Sequence, residues 1–317
     1  MKHAAVRLAL AAALAAVAAA CTVPRPVPPP SQPRLVFSMG PEASDADDHR
    51  LVREAPVRML SSWYNGPGDL AWMTGWRTTV VPDAYRRGFA LHLIVWSGDP
   101  EGTVSTPYGT ACGRAYPLSD RFLADMRELA RTFAGTASGP PLYVTLFTEF
   151  QTFACTDNQW NPDPRTNNYW RALKDRYLDA VDVFRSTAPN ARVSLGWGGW
   201  QHRWDSPATG GGRSMFRHFE DVMRASDFQS FQVMHSPDAP GDVRAMTEVL
   251  GRYGAVMLAH YKPDHLDADV RDLFTDSSVR ALTADGLFAF GFMDAPSVPE
   301  TGPSFDLVRS AVTRYAR

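Results

Sequence analysis

Glu149 closes the run Leu142-Tyr143-Val144-Thr145-Leu146-Phe147-Thr148, so a carboxyl group stands where an apolar stretch ends. Between Phe147 and Phe150 it loses water, and loss of water disfavours its charged form. A carboxyl that keeps its proton near neutral pH is suited to general-acid chemistry. Asp294 and Asp264 are the carboxylates expected to work with it, with Asp205 and Asp99 as further choices. Aromatic residues gather at the ends of other apolar runs. Trp63, Trp96, Trp197, Trp200 and Trp204 are five of the nine tryptophans, and Tyr64 follows Trp63 directly. Flat aromatic faces stack on sugar rings, and carboxylates such as Asp69 bond the hydroxyls. Trp197 and Trp200, separated by Gly198 and Gly199, read as one sugar subsite. His235, His260 and Tyr261 also close apolar runs and join the expected binding residues. Together with His202 these histidines show neither H-x-H nor H-E-x-x-H spacing, so no metal and no other cofactor is expected.

These residues need a scaffold that brings strand ends to one rim. Eight short apolar runs supply the strands: Leu35–Met39, Val57–Trp63, Ala90–Trp96, Leu142–Glu149, Arg192–Trp197, Phe228–His235, Ala255–Tyr261 and Leu287–Met293. Several are nearly continuous in apolar residues, as when both faces of a parallel sheet are covered. Helical spacing falls between them over Asp120–Phe133, Asn168–Ser186, Ser214–Ala225, Asp242–Tyr253, Asp267–Ala284 and Phe305–Tyr315, with short or irregular helices over Asp45–Glu54 and Asp69–Trp76. Eight strands alternating with helices predict an α/β fold, a (β/α)8 TIM barrel over residues 34–317, whose functional groups sit at the C-terminal strand ends. An open doubly wound sheet is the alternative, but no glycine-rich phosphate fingerprint supports it.

On these residues the chain resembles the glycoside hydrolases of clan A and, more loosely, the family 26 mannanase-like barrels. The resemblance rests on Trp63-Tyr64 with Asp69, on the carboxylate ending LYVTLFTEF, and on the aromatic strand ends. It implies that Glu149 is the acid/base of glycosidic cleavage. The clan places its nucleophile, a glutamate, at the end of the seventh strand, where this chain reads AVMLAHYKPD; the residue before the acid, asparagine or histidine in those families, is Thr148 here. Three readings follow: an exported glycoside hydrolase acting on a polysaccharide, a carbohydrate-binding barrel without turnover, and a metal-dependent hydrolase using the histidines.

The remaining features concern the ends and the cysteines. Residues 1–20 read as a signal peptide, with Lys2 and Arg7 before an alanine- and leucine-rich stretch. Ala18-Ala19-Ala20-Cys21 resembles a lipobox, which implies lipid on Cys21 and attachment to a membrane at the cell envelope. Residues 21–33 are proline-rich and suit an extended tether. With Cys21 lipidated, Cys112 and Cys155 are left to pair as a disulfide, since they follow adjacent strands. A net charge of −2 gives no footprint for nucleic acid.

Overall fold

The structure, a computed structural model, describes residues 34–160, 163–205 and 215–317. The expected signal peptide, Cys21, the tether and the start of the helix at Ser214 lie outside the described residues. Among the described residues no helix is long and apolar enough to cross a membrane.

The predicted barrel is present. Its eight parallel strands are β1 (Val36–Met39), β2 (Val57–Tyr64), β3 (Ala90–Val95), β6 (Leu142–Leu146), β7 (Ala191–Gly198), β8 (Gln229–Met234), β9 (Val256–Lys262) and β10 (Leu287–Phe292). They close in the order β1-β10-β9-β8-β7-β6-β3-β2. A separate antiparallel hairpin, β4 (Glu101–Thr106) and β5 (Gly109–Arg114), rises from the loop after β3. This segment carries no strand signal in the sequence, because its strands are largely solvent-facing and lack an apolar run. The first and last described residues of the barrel pair at its bottom: the Leu35 amide donates to Tyr315, and the Arg317 amide donates to Leu35.

Most predicted helices form within a few residues of their expected bounds. Asp120–Phe133 begins at Ser119, whose hydroxyl accepts from the Phe122 amide at 3.1 Å. The segment 267–284 is two helices, Leu266–Leu273 and Asp276–Ala284, because Thr275 caps the second by accepting from Ser278. Early in the chain, Val80–Arg86 forms a further helix that its mixed pattern concealed.

One layer of the barrel interior is polar. Ser38 bonds Ser61 at 2.5 Å, and His92 reaches Ser61 at 3.4 Å and Thr145 at 2.8 Å. Thr145 and Ser194 each bond Ser230 at 3.1 Å. All are buried, and they link six strands through short bonds that satisfy groups otherwise costly to bury. His260, on β9, is fully buried at the top of this layer, its ring nitrogens without partners among the described residues. It lies under the indole of Trp63, with ring centroids 4.3 Å apart and planes 13° from parallel.

Burial pushes His92 down to about 3 and His260 well below the ordinary 6.5. Both are neutral when folded, while the unfolded chain takes up protons below 6.5. The stability they contribute is therefore complete above that value and lost as pH falls beneath it. We expect the melting temperature to drop between pH 7 and 5, and His260→Phe to make the drop shallower while keeping a ring under Trp63. An unchanged slope in the variant would count against this role for His260.

Candidate active site

The C-terminal strand ends surround a cleft of about 550 Å³. Its aromatic wall is Trp63 at the end of β2, Trp96 just past β3, and Trp72 on the helix Pro67–Met73. Met234 and Met293 add apolar surface, and three carboxylates face in: Glu42, Asp69 and Glu149.

Glu149 reaches the cleft through unusual backbone. Phe147 and Glu149 both adopt left-handed conformations, with φ of 56° and 61°. For residues other than glycine such conformations cost on the order of 1–3 kcal/mol each and persist only where surroundings impose them. Here Phe147 stacks on Phe122 at 4.9 Å, and Phe150 packs on Trp197 at 4.6 Å and Phe219 at 4.7 Å. The two phenylalanines are drawn into the core, and the glutamate between them is left at the cleft. The next residues zip onto β5: the Arg114 amide donates to Phe153, and the Cys155 amide donates to Cys112. The disulfide Cys112–Cys155 closes this pairing, with Cα atoms 5.4 Å apart. Gln151 exchanges two amide bonds with Gly198, tying the same turn to β7.

Burial raises the pKa of the Glu149 carboxyl. A bond donated by the Gln232 amide, the charge of Arg114 and the nearby Trp96 indole pull the other way without cancelling it. Among the described residues Trp96 Nε1 has no partner in hydrogen-bond geometry, so its influence on Glu149 is one of proximity. Arg114 is itself wedged between the Trp96 and Phe153 rings, 5.3 and 4.8 Å from their centroids. Glu42 is raised as well, by burial first and then by the like charges of Asp45 and Asp69. Asp69 is fixed by the Asn65 amide and side chain at 2.7 and 2.9 Å.

Other expected site residues lie elsewhere, each for a visible reason. Asp294 accepts from Lys262 at 2.7 Å and from the Ser297 amide at 2.9 Å. Burial alone would raise its pKa, but these bonds hold it below the ordinary range, and it caps the turn Ala295–Ser297. Asp264 pairs with His235 at 2.7 Å, on exposed surface outside the cleft. Tyr64 is buried, bonding Tyr116 and Asp125, and Tyr261 is buried against Asp269. Trp197, fully buried among Phe150, Phe216 and Phe219, is a core residue and not part of a sugar subsite. Trp200 folds back over Gly198, where a Cβ would sit 2.5 Å from its ring, and donates to Asn158 at 2.6 Å. It borders a smaller depression with His235. His202 pairs with Asp242, and no metal-binding group of three ligands exists among the described residues. Sequence reasoning missed Glu42, Trp72 and Gln232. Glu42 belongs to a loop with no run-end signal, Trp72 to a helix, and Gln232 to the interior of a strand.

No protein-family model matches the chain, and no curated protein matches it significantly. Solved structures do resemble it, and those compared are glycoside hydrolases built on TIM barrels. A β-galactosidase from the haloarchaeon Halorubrum lacusprofundi has a TM-score of 0.57 at 11% identity, over 90% of this chain and 58% of that one. The β-galactosidase from Bacillus circulans sp. alkalophilus gives 0.56 at 10% identity, over 83% and 51%. The GH53 catalytic domain from Ignisphaera aggregans gives 0.51 at 14%, over 85% and 87%. The chain spans about half the length of the Bacillus protein. At these identities the likeness is one of fold alone, a (β/α)8 barrel.

Two measurements test this geometry. The disulfide closes a segment with a sequence separation of 43. In the chain-entropy description that stabilises the fold by about 4 kcal/mol. Cys112→Ala/Cys155→Ala should lose most of that in denaturant unfolding, and quantitative thiol labelling of the native protein would contradict the bond. For Glu149, a raised pKa means the folded state holds the proton more tightly than the unfolded chain, so its contribution falls as pH rises above 4.5. Glu149→Gln should therefore melt higher than the parent at pH 7, with the difference vanishing below 4.5. Equal melting at pH 7 would remove the desolvation argument.

Proposed function

We propose that this protein is an exported glycoside hydrolase, tethered to the cell envelope through lipid on Cys21, in which Glu149 protonates the glycosidic oxygen of a bound oligosaccharide. The observation that carries the reading is a carboxyl with a raised pKa inside a cleft walled by Trp63, Trp72 and Trp96. Glycosidic cleavage needs that proton donor and a second carboxylate to act as nucleophile or base. β9 offers none, since its inward residues at this level are His260 and Lys262, and Lys262 is engaged with Asp294. The other carboxylates that line the cleft, Glu42 on the loop after β1 and Asp69 in the helix that follows β2, are the candidates for the second carboxylate in place of Asp294 and Asp264. Among fold neighbours, GH5_18 from Streptomyces cattleya is solved in complex with Manb1-4GlcNAc, with a TM-score of 0.50 at 13% identity over 83% of this chain and 71% of that one. That complex agrees with a carbohydrate partner for a barrel mouth of this kind.

The absence of a β9 carboxylate favours a second reading, a barrel that binds glycan without cleaving it. One experiment separates the two. The purified protein is incubated with a panel of polysaccharides, and new reducing ends are measured. Hydrolysis is expected, with Glu149→Gln lowering the rate by about two to four orders of magnitude while binding persists. Full activity in Glu149→Gln would end the assignment, and glycan binding with no new reducing ends would establish the second reading.

A further inference from the structure

The charge of the cleft narrows its ligand. Its three carboxylates are accompanied by no lysine, arginine or histidine side chain among the described lining residues. Lys262 is paired with Asp294 at 2.7 Å, and Arg114, whose charge acts on Glu149, is set between the Trp96 and Phe153 rings and does not line the cleft. His260 lies beneath Trp63 and is neutral. Glu42 is the exceptional member. It is half-buried, its carboxylate makes no hydrogen bond or ion pair among the described residues, and Asp45 and Asp69 crowd it with like charge. Such a group is stabilised by a cation that arrives with the ligand. The tryptophan wall points the same way, because an indole face attracts a cation through its quadrupole. Trp72 is the exposed member of that wall, at 39% exposure, on the same loop-and-helix segment as Asp69.

From this combination we propose that the cleft takes a cationic glycan, a chain containing free amino sugars, with a protonated sugar amine seated between Glu42, Asp69 and the tryptophan faces. This rests on the carbohydrate reading above and specifies its substrate class. A uronic acid or sulfated sugar is excluded by repulsion from the same carboxylates, and an N-acetylated sugar loses the ionic part of the interaction.

The test is a binding titration followed by intrinsic tryptophan fluorescence. The full chain is titrated with β-1,4-linked glucosamine trisaccharide, with its N-acetylated counterpart and with a galacturonate trisaccharide, at about pH 6, where a sugar amine is protonated. Glucosamine trisaccharide should bind about tenfold tighter than the acetylated form, the sum expected of cation–π and ion-pair contributions. Added salt should shrink that ratio, and the galacturonate should not bind. Glu42→Gln and Asp69→Asn, both near-isosteric and checked by thermal melting, should each move the ratio towards one. Equal or tighter binding of the acetylated or acidic sugar would overturn the amino-sugar inference and leave the carbohydrate reading standing. A ratio unmoved in both folded variants would overturn the placement of the amine. Binding of no sugar at all would sink both.

Discussion

The mouth of this barrel depends on a backbone that turns twice into left-handed space within three residues, at Phe147 and Glu149. Nothing local favours that path, since phenylalanine and glutamate are poor occupants of such conformations. It is imposed from outside. Phe147 and Phe150 are held in an aromatic core, the following strand of backbone is zipped to β5, and Gln151 locks onto β7. The β4–β5 hairpin, an addition to the plain barrel, is therefore part of the site's support. Its disulfide fixes the turn that points one carboxyl at the cleft.

What lies beneath decides the electrostatics. A charged histidine under Trp63 would draw down the pKa of a nearby carboxyl and would offset the acidity of the cleft. His260 is instead buried so thoroughly that it stays neutral, and it adds a flat surface without a charge. The serines and threonine below it satisfy one another, so polar groups occupy the barrel interior without bringing net charge to it. The Lys262–Asp294 pair removes the cation that β9 would otherwise present. Each arrangement keeps positive charge away from Glu149, with Arg114 the one partial exception, held behind Trp96.

The barrel was legible because its strands are bounded apolar runs, and burial of both faces leaves that mark on a sequence. The hairpin was not, since half-exposed strands of threonine, serine and glycine carry no such mark. At the site, Glu149, Trp63, Trp96 and Asp69 were found because the rule of strand ends applies to them. The same rule misassigned Trp197 and Tyr261. A residue at a strand end points either into the mouth or outward under the helices, and one-residue alternation separates the two only when the register is known. Asp294 and Asp264 were chosen for position, yet a carboxylate's role depends on its partners, and Lys262 and His235 come from other strands and loops. The polar layer leaves only a faint trace in the sequence: His92, Thr145, Ser194 and His260 are single polar residues set in apolar runs.

The energetics of Glu149 bear on the choice between cleavage and mere binding. A binding barrel needs donors and acceptors for sugar hydroxyls, and a neutral amide supplies both without a charge to desolvate. A glutamine at this position could keep a bond to Gln232 and would avoid the larger cost of desolvating a charge. The glutamate instead combines strained backbone with a carboxyl that resists ionisation, two costs at one residue. Folded proteins concentrate such costs where chemistry requires them. A carboxyl whose burial favours its protonated form is suited to proton donation more than to hydroxyl binding, and that is the role proposed above for Glu149.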